Sequence, residues 1–227
     1  RATRQVLTSL QGQSTTATVV GAGTGSGKTN AFYLPAFSYL ASIDDASAWT
    51  RALAVYPRIE LLKDQLETAF AHARRLDATW RSQVGRPLTI GALYGSTPSN
   101  ARDVRRNYRK WISRPSGMAS PQMRCPGDGY VACGGELIWH DADINNDLER
   151  LVCSNCNRSF DDTQIVLTRR RMQSNPPDVL FVTTEMLNRG LSDLSLRRTL
   201  GIDVEWDKKP RLFLLDEIHT YEGTSGA

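Results

Sequence analysis

The sequence predicts an α/β fold, a parallel sheet flanked by helices, with a small cysteine-rich insertion. Short apolar runs alternate with segments whose apolar residues recur at helical spacing, which is the pattern of successive β/α units. A glycine-rich turn, Gly21 to Gly27, stands between one such run and one such helix. All four cysteines fall between Ser116 and Phe160, where the alternation stops.

Taken in order, Arg1 to Leu10 reads as a short amphipathic helix, and Thr15 to Val20 as a buried, β-branched strand. Lys28-Thr29 opens a helix that continues over Asn30 to Ala41, and Ser42 to Thr50 is a polar loop. Ala52 to Tyr56 is a second strand closed by Pro57. The stripe Ile59, Leu62, Leu66, Ala69, Phe70 and Ala73 predicts a helix over Arg58 to Leu76, and Leu88 to Tyr94 a third strand. Asn100 to Arg114 carries Arg102, Arg105, Arg106, Arg109, Lys110 and Arg114 interleaved with Tyr108 and Trp111. That stretch is either a solvated basic helix face or a surface for a nucleic-acid backbone with aromatics for base stacking. After the cysteines, Gln164 to Gln173 reads as a helix broken by Pro176-Pro177. Asp178 to Val182 is a strand whose following threonines, Thr183 and Thr184, can cap a helix. Leu191 to Asp207 gives no clear pattern, and Arg211 to Leu215 is an apolar strand that delivers Asp216-Glu217-Ile218-His219. The expected division is 1–115 and 164–227 for the two parts of the α/β domain, with 116–163 as the metal-binding insertion.

At 227 residues the chain has room for one sizeable core. Its net charge of +4 is compatible with a nucleic-acid partner without requiring one. No apolar run is long enough to cross a bilayer and Arg1 to Leu10 has no signal-peptide core, so no membrane partner and a cytoplasmic setting are expected. The start at Arg1 suggests a piece of something longer.

Strand, glycine turn and helix start are the setting in which backbone N–H groups cradle phosphate oxygens. Thr24, Gly25, Ser26, Gly27, Lys28 and Thr29 are the candidate ATP-binding residues, with Lys28 reaching the terminal phosphates and Thr29 on Mg²⁺. Asp216 is placed to hold the same Mg²⁺, and Glu217 to orient and deprotonate the attacking water. Among the cysteines, Cys153 and Cys156 have the two-residue gap of a metal knuckle; Cys125 and Cys133 are spaced more widely, and 19 residues lie between the pairs. Zinc is the expected metal, with an iron–sulfur cluster and disulfides or free thiols as alternatives. His140 is expected at the surface, not as a ligand.

Ala22-Gly23-Thr24-Gly25-Ser26-Gly27-Lys28-Thr29 resembles the AxTGSGKT loop of superfamily 2 helicases, and Asp216-Glu217-Ile218-His219 their DExH box. Gln5, 23 residues before Lys28, matches the spacing of the adenine-reading glutamine of related proteins. Tyr56-Pro57-Arg58 with Leu61 and Gln65 is similar to motif Ia, and Thr183 to Leu187 to motif Ib, both of which contact the nucleic-acid strand in that superfamily. The resemblance implies a first RecA-like P-loop NTPase domain, with ATP and Mg²⁺ as cofactors and DNA, or RNA, as partner. Arg58, Thr183, Thr184, Arg105 and Arg109 are the candidate strand contacts. It also implies a second RecA-like domain elsewhere in the protein, without which this piece hydrolyses ATP slowly or not at all. The segments TTEMLNR and DEIHTYEGTSGA are similar to large bacterial helicases of DNA repair and of phage-defence systems of the DISARM and Druantia type, so defence or repair subunits are further expected partners. Two alternatives remain: an ATPase that remodels protein complexes without unwinding, and a zinc-ribbon nucleic-acid-binding module with a vestigial ATPase core.

Overall fold

The computed structural model describes residues 2–11, 17–19, 28–43, 45–106 and 110–216, with the backbone alone at 2, 3, 5, 10, 11 and 28–32. Helix α1 (Ala2–Gln11) lies against α2 (Lys28–Ala41), and strand β1 (Ala52–Tyr56), helix α3 (Ile59–Arg75), helix α4 (Asp77–Val84) and strand β2 (Ile90–Leu93) follow. A turn of helix, α5 (Asp103–Arg106), precedes β3 (Ile112–Arg114), β4 (Gly117–Ala119), β5 (Leu137–His140), α6 (Asp141–Asn145), β6 (Arg150–Cys153) and β7 (Ser159–Asp161). The chain then returns through β8 (Ile165–Val166), α7 (Arg169–Ser174), β9 (Val179–Thr183), α8 (Thr184–Ser192), α9 (Leu194–Arg197) and β10 (Leu212–Leu215).

The strands form two sheets. The larger has the order β10-β1-β9-β2-β8 and every pairing in it is parallel. Alternation of side chains gives it two apolar faces. Ala52, Ala54, Tyr56, Phe181 and Ile90 pack with Tyr33, Phe37 and Leu40 of α2 and Leu62, Leu66 and Phe70 of α3. Each of the three α3 side chains is fully buried, a contribution of about 1.5–3 kcal/mol apiece. Leu53, Val55, Leu180, Val182 and Leu93 pack on the other face with Met172, Met186, Leu196 and Leu200 from α7 to α9 and just beyond. Among the described residues β10 and β8 are the two edge strands, and on β10 Phe213 and Leu215 are 60% and 43% exposed, although their register partners Leu53 and Val55 are buried.

The amino edge of this sheet is closed by charge. Asp178, just before β9, is paired with Arg51, just before β1, and accepts from Arg86 at 2.6 and 2.7 Å and from the Thr89 N–H at 2.9 Å. Arg51 and Asp178 are both buried, so removing either would strand the other charge.

The smaller sheet, β3-β4-β5-β6-β7, is antiparallel throughout. It shares one core with the larger sheet: Phe70 of α3 meets Phe160 of β7 edge to face at 5.2 Å, and Trp139 of β5 lies 5.6 Å from Trp111. Glu149 fastens it to the parallel sheet, accepting from the Leu167 N–H at 2.6 Å and the Thr168 hydroxyl at 2.5 Å. Thr168 in turn caps α7.

Three local expectations are corrected. Ala17 to Val19, the described part of the expected strand Thr15–Val20, have no strand pairing, and Val19 is 81% exposed; the remainder lies outside the described residues. Among the described residues of Asn100 to Arg114 the helix is confined to α5 and the stretch ends as strand β3; Trp111 packs inward on Trp139 and is 4% exposed instead of being open for stacking. Within Gln164–Gln173, Ile165–Val166 is strand β8 beside β2, and the helix begins only after Thr168 can cap it.

Candidate nucleotide and nucleic-acid edge, and a four-cysteine centre

Parallel strands send their following loops to one edge, the carboxyl edge, where open α/β sheets bind ligands. Asp216 follows β10 there, Pro57 and Arg58 follow β1, and Thr183 ends β9, in register with Tyr56. The second turn of α2 reaches the same edge. Tyr33 is fully buried, its hydroxyl 2.5 Å from that of Tyr56, and burial, then Tyr56, then the Asp216 carboxylate raise its phenol well above the ordinary range. The amino end of α2, at Lys28 and Thr29, therefore points to the edge that carries Asp216. Its first turn holds no acidic side chain to offset the helix dipole. Thr24 to Gly27 and Glu217 lie outside the described residues, as do the side chains of Gln5, Lys28 and Thr29.

The candidate strand contacts fare differently from one another. Arg58 occupies the N-cap position of α3 with its side chain exposed, and among the described residues it has no ion-pair partner. Thr183 is 4% exposed and its hydroxyl accepts from the Met186 N–H at 3.4 Å, so it caps α8; Thr184 is the more open of the two. Arg105 is paired with Asp141 at 2.6 Å and Arg114 with Glu136 at 2.6 Å, which neutralises part of the basic stretch. Arg109 lies outside the described residues. Sequence reasoning missed Tyr33 as a link across this edge; a tyrosine one turn after Thr29 on an apolar helix carries no signal beyond core packing.

The four-cysteine centre is complete. The sulfurs of Cys125, Cys133, Cys153 and Cys156 all lie within 4.8 Å of one another, with Cys125–Cys156 at 3.7 Å and Cys133–Cys153 at 3.6 Å. These are free thiols, since a disulfide would hold two sulfurs at about 2.05 Å. Backbone N–H groups of Gly127 and Asn155 point at the sulfurs of Cys125 and Cys153, each at 3.4 Å, which favours the thiolate. Both loops need glycine. A Cβ at Gly135 would stand 2.7 Å from the Cys153 sulfur, and Gly127 has φ +67° with the Val131 carbonyl where a Cβ would lie. His140 is outside the cluster, its Nδ1 3.2 Å from the Ser116 carbonyl. One tetrahedral ion with ligands at ~2.3 Å sets its thiolates ~3.8 Å apart, close to the observed spacings. A multi-iron cluster needs a wider cage.

Residues 1–108 match the family model described as DEAD/DEAH box helicase. The match ends before the four-cysteine region and before Asp216. Over 98% of its length the chain is 29% identical to the Druantia protein DruE of Escherichia coli (strain UMEA 4076-1), of which it spans 14%. The sheet behind that match sets the amino end of α2 and Asp216, which follows β10, at one carboxyl edge.

Proposed function

We propose that this chain is the first RecA-like domain of an ATP-driven helicase or translocase acting on DNA. The reading is supported above all by the meeting of α2's amino end, Asp216, Arg58 and Thr183-Thr184 at one edge of one sheet. In this reading the N–H groups of Thr24 to Gly27 and the Lys28 ammonium hold phosphate oxygens, and Thr29 with Asp216 holds the Mg²⁺. ATP supplies the bond whose cleavage drives movement. Glu217 orients the attacking water and takes its proton, and Lys28 neutralises the charge that develops on the phosphates. Gln5, on α1, reads the adenine. Arg58 and Thr184, with Thr183 behind it, line the path of the strand, and a second RecA-like domain of the same protein closes over the nucleotide.

At the insertion, Cys125, Cys133, Cys153 and Cys156 hold one structural zinc; the single-ion spacing of the sulfurs supports this over an iron–sulfur cluster. Similarity to a Druantia protein supports a role in antiphage defence, in the cytoplasm, beside other subunits of such a system. The test is Glu217→Gln in the full-length protein. ATP binding should persist while DNA-stimulated hydrolysis falls on the order of a hundredfold or more. Retained turnover removes Glu217 from the base role, and wild-type hydrolysis without strand displacement or translocation indicates a remodelling ATPase instead.

A further inference from the structure

The loop between the first two thiols, residues 126–132, serves the sulfur cluster at its ends but not at its tip. Tyr130 and Val131 stand there side by side, 72% and 73% exposed. Water disfavours such exposure, and a loop free to move would lay these side chains against the nearest apolar surface. This loop is held in place instead. Cys125 and Cys133 fix its two ends in the cluster. Gly129, at φ +88°, comes so close to α3 that a Cβ would stand 2.9 Å from the Ala71 carbonyl oxygen, and its own carbonyl accepts from the Arg75 Nε. The Asp128 carboxylate accepts from the N–H groups of Tyr130 and Val131 at 2.8 and 2.9 Å.

Size and charge identify what such a tip can hold. Two side chains fall far short of the roughly 800 Å² per partner that a specific protein interface buries, whereas a single ring is enough to stack one base. The Arg75 guanidinium lies 5.4 Å from the Tyr130 ring centre, and the ring still has most of its surface open. Arg75 and Arg158, the latter acting on Asp128, are exposed and have no ion-pair partner among the described residues, so cations outnumber the loop's one carboxylate. An aromatic ring backed by a guanidinium, with positive charge beside it, suits an unpaired base and its phosphate.

The tip is also remote from the rim. Arg58 caps the amino end of α3 and Arg75 is its last residue, 17 residues and about 25 Å of helix later.

We propose that the Tyr130 tip of the four-cysteine insertion is a second contact for single-stranded nucleic acid, on which one unpaired base stacks, a proposal that rests on the reading of nucleic acid as this protein's partner.

The test uses the full-length protein with Tyr130→Ala and Tyr130→Phe. Affinity is measured by anisotropy, without nucleotide, for a fluorescein-labelled oligothymidylate of about 30 nucleotides, long enough to span both sites at about 3.4 Å each. Tyr130→Ala should weaken binding about five- to thirtyfold, and Tyr130→Phe, which keeps the ring, by less than about twofold. Because the side chain is exposed, melting temperature and bound metal should stay the same in both. With Arg58→Ala added, the two losses should multiply, as they do for sites that share no neighbour. Unchanged affinity in Tyr130→Ala, an equal loss in Tyr130→Phe, a loss that comes with lost metal, or losses that do not multiply would each overturn the proposal and leave the ATPase reading intact. A wild-type protein that binds no oligonucleotide overturns both.

Discussion

The two sheets of this protein are built from the same kinds of residue but are held in different ways. In the parallel sheet β1, β2 and β9 are buried at every position, and apolar side chains on two faces supply the cohesion. In the antiparallel sheet the strands are three or four residues long and partly exposed, β3 most of all. So little surface cannot anchor loops as long as 120–136, and the four thiols gather where burial is insufficient. Apolar area on two faces fixes one region, while the other leans on the shared core and gathers four thiols beside it, along a seam that Glu149 and Phe160 share.

The sharpest way to break that comparison is at the thiols. Cys153→Ser should remove bound zinc and cost ~5 kcal/mol or more, with proteolysis beginning between residues 116 and 161 while the parallel sheet stays protected. Metal analysis with limited proteolysis checks it; an unchanged cleavage pattern would show that the insertion stands on packing alone, and iron in protein purified without oxygen would replace zinc.

The seam itself is tested at Glu149. Burial raises its carboxyl to about 7, and the bonds from Thr168 and Leu167 only partly offset this. A raised folded-state value means that the folded protein holds its proton longer than the unfolded chain. The contribution is therefore fully present below about pH 4.5 and is lost as pH rises through about 7, by about 3 kcal/mol in all. Glu149→Gln should flatten that dependence and stabilise the protein at pH 8. Urea unfolding across pH decides, and an identical pH profile for the two proteins would rule out this carboxyl as its source.

The smallest structural effect is expected at the rim. Arg58→Ala should change stability by less than about 0.5 kcal/mol, because its side chain is exposed, yet weaken single-strand binding and reduce the salt slope by about one. An unchanged slope would mean that Arg58 faces away from the strand.

Much of the parallel sheet was legible in the chain. Ala52 to Tyr56 is the strand that its composition predicts, and α3 follows its apolar stripe within a residue at either end. The errors arose where a long-range partner outweighed a local pattern. Trp111 lies in a basic run that reads as a surface helix, but Trp139 offers it an apolar neighbour and the run bends into β3. Ile165–Val166 joins a helical-looking segment to β2 as a strand, since β2 has an unpaired edge there to be filled. In the candidate site, the cysteine spacing announced a metal knuckle, while the pairing of Arg105 with Asp141 and the capping by Thr183 left no trace in the sequence.

By itself, then, the sequence determined the succession of β/α units, the glycine-rich turn and the four thiols, because each is a matter of residue type at short spacing. Tertiary structure alone decided the strand order β10-β1-β9-β2-β8, the meeting of the four sulfurs within 4.8 Å, and the contact of Tyr33 with Tyr56 across 23 positions of chain. Those depend on which faces are buried together, and burial is settled by the whole core at once.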